Sequence, residues 1–329
     1  MLLCPFCMKY HHYSVLECPE KRTPIPFVYI EDAKRGVPIV VMLTIGYSGH
    51  GKTCFLSSFF HTLYRGNLSE IWPGFSFIGL TMETLNKIHN EYVNILEHGH
   101  LPPKTPIMFP TPLILKFQQM PLKVKSFFKK YFKGVSIEQD ELICIFYDIG
   151  GGTFEVDEKI KHNIPVLVEV KTLVFLISLP RIQDAAQTRI SAVQQLHKLL
   201  NTIVLAIGKI GQQKKKDLLV CFTMGDEMWN CRDNRYGQLS IPIQHEIPTA
   251  EDIAGFFSEF HNDSDLLSQH IRESFTPFFN AIENNFRSVR FTTISALGNQ
   301  PTETGEITHL TPTNIFDPFL ALLQCEGYL

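Results

Sequence analysis

The run Gly46-Tyr47-Ser48-Gly49-His50-Gly51-Lys52-Thr53 has the spacing of a loop that holds phosphate: Gly, four residues, then Gly-Lys-Thr. Successive backbone N–H groups from Ser48 through Cys54 wrap the anion. Lys52 reaches the β and γ oxygens, and the Thr53 hydroxyl ligates Mg²⁺. The glycines permit dihedrals that a Cβ forbids. The next segment, Cys54 to Tyr64, reads as a helix whose positive N-terminal end faces the anion.

Three later sites add chemistry that suits the same ligand. Asp148-Ile149-Gly150-Gly151-Gly152 follows an apolar run. An acid there can hold the water shell of Mg²⁺, and Gly151 lets a backbone N–H approach a γ-phosphate. Thr223-Met224-Gly225-Asp226 follows another such run, and its carboxylate can accept from the N1 and N2 groups of guanine, which adenine lacks. Ser295-Ala296-Leu297 is a short turn able to present a backbone N–H to the base carbonyl. Spacing does not fix the threonine that would close on Mg²⁺ through the γ-phosphate. Thr105, in a Pro-rich loop, is the choice and Thr111 the alternative.

Residues so far apart need a scaffold that brings them to one edge. Strand-like runs recur at 38–45, 113–117, 142–147, 172–178, 218–223 and 288–294. Helical patterns lie between them at 54–64, 83–97, 183–207 and 265–286, with a last one at 314–323. That alternation predicts an α/β, doubly wound, mostly parallel sheet of about six strands with helices on both faces. Ligands of such sheets sit beyond the carboxyl ends of the strands, where all four motifs fall. Two insertions are expected, at about 118–139 and 227–261. The first interleaves Lys123, Lys125, Lys129, Lys130 and Lys133 with Phe127, Phe128, Tyr131 and Phe132. It reads as an amphipathic helix with lysines in water, or as a face for nucleic acid, an acidic partner or a membrane surface.

Residues 1–25 differ from the rest. Cys4-Pro5-Phe6-Cys7 and Cys18-Pro19-Glu20-Lys21 look like a zinc ribbon whose last cysteine has become Lys21. His11 or His12 can complete a Cys₃His set for a structural Zn²⁺. The other reading is a ribbon that has lost its metal and is held by the packing of Phe6, Tyr10 and Tyr13.

With 44% hydrophobic and 19% charged residues among 329, the chain can bury a large core and is not disordered by composition. A net charge of -3 gives no global attraction to nucleic acid or anionic membrane. The longest apolar stretch, 164–179, is interrupted by Glu169 and Lys171, so no transmembrane segment is expected. The start lacks the basic leader and apolar core of a signal peptide, and Cys54, Cys144 and Cys221 fall in expected core elements. A reducing cytoplasmic setting follows.

On the four motifs the chain resembles GTPases of the translation-factor and Ras-like class of P-loop proteins, over roughly residues 36–325. The Cys-rich start, Leu101-Pro102-Pro103-Lys104-Thr105 and the terminal Asp317-Pro318-Phe319-Leu320 are similar to bacterial double-GTPase-type proteins of conflict and defence operons. The resemblance implies a P-loop GTPase-like domain over 36–329 that binds GTP or GDP with Mg²⁺ and acts on effector or operon-partner proteins. It implies that Gly46, Gly51, Lys52 and Thr53 bind phosphates and Mg²⁺, that Asp148 and Gly151 sense the γ-phosphate, and that Asp226, Thr223, Ser295 and Ala296 hold guanine. Two departures matter. Met224 stands where that class carries Lys. Gly152 stands where Ras-like enzymes carry a water-orienting Gln, so hydrolysis is expected to be slow or completed by a partner, with Glu155 and His50 the nearby side chains considered for the water. A non-hydrolysing scaffold and a P-loop ATPase or kinase are the alternatives.

Overall fold

The computed structural model describes residues 1–103, 111–122, 140–150, 166–185 except 168, scattered positions between 194 and 205, 216–231 and 236–329. A seven-stranded sheet organises them. Its strands are β3 (Ile39–Ile45), β4 (Ser76–Gly79), β5 (Leu113–Gln118), β6 (Leu142–Asp148), β7 (Thr172–Ile177), β8 (Asp217–Phe222) and β9 (Ser288–Thr293), in the spatial order β4-β5-β6-β3-β7-β8-β9. The five strands from β6 to β9 run parallel; β5 pairs antiparallel with β6, and β4 antiparallel with β5. Two short strands, β1 (Leu2–Leu3) and β2 (Tyr10–His11), form a separate hairpin.

All six expected strands are present, and β4 is a seventh. Four residues long, half exposed and without a clear alternation, Ser76–Gly79 offered too little pattern to be read as a strand.

The central strands are β-branched and aliphatic, and they are buried on both faces because helices cover both. Val40 and Met42 of β3 pack into one core with Phe55 and Phe59 of the helix α2 (Lys52–Arg65) and with Phe319 of the terminal helix Asp317–Glu326. Val41, Leu43 and Ile45 pack into the other core with Tyr29 and Ile30 of α1 (Phe27–Arg35) and with Phe278 of the helix Thr276–Asn285. Leu2, Phe6 and Met8 belong to this second core, so the N-terminal ribbon shares the core of the sheet. Two buried phenols tie it down: Tyr29 donates to the Leu3 carbonyl at 2.6 Å, and Tyr147 of β6 donates to the Pro5 carbonyl. Asp32 of α1 meets buried Lys116 of β5 at 2.9 Å and binds Arg35.

Several expected boundaries move. The stretch read as a surface excursion to residue 261 gives way at Ile253 to a helix that runs to Ser274. Ile253, Phe256, Phe257, Phe260, Leu267 and Ile271 are its buried stripe. The intervening Asn, Asp and Ser residues hid that 3.6-residue period. The single helix expected over 265–286 is two, because Pro277 starts a new helix in its first turn. The lysine-rich part of the first insertion, 123–139, lies outside the described residues. Among the described residues no helix is long and apolar enough to cross a membrane.

The chain ahead of Ile253 is fastened by His245. Its Nδ1 lies 2.6 Å from Asp317 Oδ2 and its Nε2 lies 2.9 Å from Asp263 Oδ2. Burial pulls the imidazole down, but the hydrogen bonds and charges of Asp317 and Asp263 outweigh it and hold His245 up at about 9. A histidine raised above its unfolded value stabilises the fold fully below pH ~6.5 and loses that contribution as pH rises toward 9. The melting temperature is therefore expected to fall between pH 7 and 9.5 by the equivalent of about 2 kcal/mol. Thermal melts of His245→Gln should lack that fall; a parallel fall in both proteins would rule out the histidine as its cause.

Candidate nucleotide site and metal centre

The loops after β3, β6, β8 and β9 meet at the carboxyl edge of the sheet because all four strands point the same way. The Gly46–Thr53 loop leaves β3 at Gly46 and enters α2 at Lys52, with Gly51 in the left-handed region at φ 75°. Gly46 is pressed on β7: a Cβ there would lie 2.3 Å from the Leu176 carbonyl oxygen. Only glycine lets the loop pass so close to the next strand. Lys52 is buried and donates to the carbonyls of Gly46 at 3.0 Å and Tyr47 at 2.6 Å, so its ammonium lies folded over the loop.

Thr53 Oγ1 donates to Asp148 Oδ2 at 3.2 Å. A hydroxyl beside a buried carboxylate, at the mouth of a phosphate loop, is an oxygen donor set that suits Mg²⁺, a cation that keeps several waters and takes one or two protein oxygens. The same Asp148 oxygen also accepts from Tyr92 Oη at 3.3 Å. Burial and then the charge of Asp148 hold the Tyr92 phenol well above its usual range, so it is the donor. Thr105, Gly151, Gly152 and Glu155 lie outside the described residues; Thr111 lies just ahead of β5.

Across the sheet edge, Thr223 Oγ1 donates to the His50 carbonyl at 3.0 Å and ties the loop after β8 to the Gly46–Thr53 loop. Asp226 is buried and its Oδ1 accepts from Ser295 Oγ, which in turn accepts from the Gly298 N–H at 2.9 Å. One edge of the carboxylate is thus fixed. Ala296 is placed by Ser58 of α2, whose hydroxyl donates to its carbonyl. Met224 takes a left-handed conformation, φ 59°, with its sulfur 3.0 Å from Ser178 Oγ. His50 turns under the loop: its ring is buried and its Nδ1 accepts from the Ser178 N–H at 3.3 Å. Burial, then the charge of Lys52, lowers it to about 4, so it is neutral. Its backbone carbonyl accepts from Thr223, and its ring is engaged with Ser178.

Sequence reading missed Tyr92 and Ser178. Ser178 follows β7 directly and the strand-end rule points to it; Tyr92 sits mid-helix, and no sequence signal marks it.

The second site lies in the ribbon. Sulfurs of Cys4, Cys7 and Cys18 and a ring nitrogen of His11 all fall within 4.8 Å of one another, and the three cysteines are buried. Ligands of one tetrahedral Zn²⁺ with Zn–S of about 2.3 Å sit roughly 3.8 Å apart, so the four can share an ion. Two similar turns build the site. In the first, Met8 N–H donates to the Cys4 carbonyl at 2.9 Å with Met8 at φ 57°; in the second, Arg22 N–H donates to the Cys18 carbonyl at 2.8 Å with Arg22 at φ 50°. Lys21 occupies in the second turn the place Cys7 has in the first. The β1–β2 hairpin brings His11 to the vacancy, with Nε2 3.2 Å from Cys7 Sγ. His12 instead pairs with Ser14 at 2.8 Å. Burial pushes the Cys4 thiol up to about 12, opposed by N–H groups of Phe6 and Cys7. Those N–H groups favour a thiolate once a cation displaces the proton.

No protein-family model matches the chain. No curated protein sequence matches it either. Among solved structures it is similar to a dimerization-deficient mutant of Toc33 from Arabidopsis thaliana, at 12% identity over 90% of this chain and 87% of that one, with a TM-score of 0.36. It is also similar to the signal recognition particle receptor SRb-GTP/SRX complex from Chaetomium thermophilum, at 13% identity, 80% and 96% coverage and a TM-score of 0.34. A third likeness is to the S. cerevisiae Ski7 GTPase-like domain bound to GTP, at 12% identity and a TM-score of 0.37, covering 91% of this chain and 53% of that one. Likenesses this distant do not bear on the site, whose chemistry stands on its own residues.

Proposed function

We propose that the chain is a Mg²⁺-dependent guanine-nucleotide switch. The observation that supports this best is the pair of ties across the sheet edge: Thr53 to Asp148 on the phosphate side, and Thr223 to His50 with Asp226 to Ser295 on the base side. One edge of the sheet thereby offers N–H donors and an ammonium for phosphates, two oxygens for Mg²⁺ and a fixed acid for guanine. Bound Mg²⁺ would neutralise phosphate charge. Lys52 would exchange the Gly46 and Tyr47 carbonyls for β/γ oxygens, and Asp226 would select the base. Thr105 and Gly151 would close on the γ-phosphate, and hydrolysis would be slow without a partner because Gly152 carries no side chain. The output would be a contact with another protein in a cytoplasmic conflict or defence setting, as the sequence resemblance implies. In the ribbon, Zn²⁺ held by Cys4, Cys7, His11 and Cys18 would be structural, since four protein ligands leave no open position.

His50 favours a second reading, a nucleotide-dependent scaffold that does not hydrolyse. Its neutral, buried ring accepts from the Ser178 N–H, and in that contact it would not act on the attacking water. Phosphate release in a single turnover separates the two readings.

Equilibrium titration with GTP, GDP and ATP is the primary test. GTP and GDP are expected to bind in the presence of Mg²⁺ and ATP at least ~100-fold more weakly, because adenine cannot donate to Asp226. Lys52→Ala should weaken GTP at least ~10-fold through loss of a charge-assisted contact. A folded wild type that binds none of the three would sink the proposal.

A further inference from the structure

We propose that Tyr92 is a positioning residue for the Mg²⁺ site: its phenol, brought in by a π-helical turn, fixes the Asp148 carboxylate that would hold the metal's water shell. This rests on the Mg²⁺-nucleotide reading above and adds a residue from a helix outside the four motifs.

The helix concerned begins at Met82 and runs as α-helix to Lys87, as π-helix through Ile88–Val93, and as α-helix again over Asn94–Glu97. π turns are rare, occur mostly as single turns inside α-helices, and are frequent at functional sites. Here Ile88, Tyr92 and Val93 are its buried residues. The Tyr92 ring sits edge-on to Phe60 of α2, with centroids 5.4 Å apart. That contact holds the phenol along the helix that carries Thr53.

Both ends of the helix are anchored, so the aim of Tyr92 is fixed. At the start, Thr81 Oγ1 caps the Thr84 N–H at 2.9 Å, and Thr84 Oγ1 accepts from the Ile114 N–H of β5 at 3.2 Å. At the end, the Gly99 carbonyl accepts from Ile307 N–H at 2.7 Å, and Leu96 packs with Leu297 and Ile307, which follow the Ser295-Ala296 turn. Between these anchors Tyr92 Oη donates to the oxygen of Asp148 that also receives Thr53.

A carboxylate that binds metal water needs a fixed plane. With Mg²⁺ bound, Thr53 Oγ1 can offer a lone pair to the metal while its proton still goes to Asp148 Oδ2, since a hydroxyl has one donor and two lone pairs. Tyr92 is the second donor on that same oxygen, from a different helix, and so helps keep the Asp148 carboxylate oriented. Partners of this kind behind metal-binding groups typically cost ~10- to 100-fold in metal affinity when removed.

The test is the Mg²⁺ dependence of GTP binding by the full chain. Tyr92→Phe keeps the ring and its packing on Phe60. It is expected to raise the Mg²⁺ concentration for half-maximal tight GTP binding about 10-fold, while GTP affinity in EDTA stays as in the wild type. The EDTA arm shows that the variant is folded. An unchanged or lower Mg²⁺ requirement overturns the proposal. A wild type that fails to bind GTP instead overturns the nucleotide reading, so the two failures are distinct. A second measurement needs no variant. In the full chain carrying 3-fluorotyrosine, the ¹⁹F resonance of Tyr92 should shift when Mg²⁺ is added to the metal-free GTP complex, and a resonance that does not move also overturns the proposal.

Discussion

Asp226→Asn is expected to lower GTP affinity on the order of 10³-fold and to turn the preference toward xanthosine triphosphate. Guanine presents two donors, N1–H and the N2 amino group, to a carboxylate that accepts both. An asparagine offers one acceptor and one donor, so its NH₂ meets the N2 amino group donor to donor. Xanthine replaces that amino group with a carbonyl and restores the match. The size of the effect depends on how little Asp226 can move. Ser295 Oγ already holds Oδ1, and Gly298 N–H holds Ser295. A loose acid would rotate and lose less. Competition titrations with GTP and XTP on both proteins measure it. Equal loss of the two nucleotides would mean that the residue shapes the loop and does not read the base.

Zinc removal should have the other large effect. The chain is expected to carry one Zn²⁺, and stripping it, or Cys18→Ser, should raise amide exchange across residues 1–25 by at least ~10³-fold, since structural zinc contributes folding free energy of several kcal/mol. The melting temperature should also fall, by roughly 5 °C or more, because Leu2, Phe6 and Met8 are part of the core under the sheet. A metal-free chain with unchanged exchange would establish the alternative, a ribbon held by packing alone. Native mass spectrometry gives the stoichiometry.

The strands were the most legible part of the chain. Their apolar runs are continuous because helices cover both faces, and a run such as Ile39–Ile45 has no other stable place. The three cysteines of the ribbon were legible too, by spacing; the choice between His11 and His12 was not, since it depends on the β1–β2 pairing. Ile253 was hidden by polar neighbours although its stripe is regular, and the break at Phe275 was signalled by Pro277 and passed over. Tyr92 had no signal of any kind. Its partner Asp148 is 56 residues away, and a π turn leaves no mark in a 3.6-residue pattern. Contacts that span such distances are properties of the fold.

The ribbon's attachment bears on how this protein could have been put together. Metal ribbons are compact enough to be appended to other proteins as separate beads on a linker. The N-terminal ribbon is not such a bead: Tyr29 of α1 and Tyr147 of β6 hold its backbone carbonyls, and its own side chains fill the sheet's core. Tyr147 immediately precedes Asp148 on β6. A substitution in the first knuckle therefore presses on the strand that ends at Asp148, so damage to the ribbon should be felt at the carboxyl end of β6.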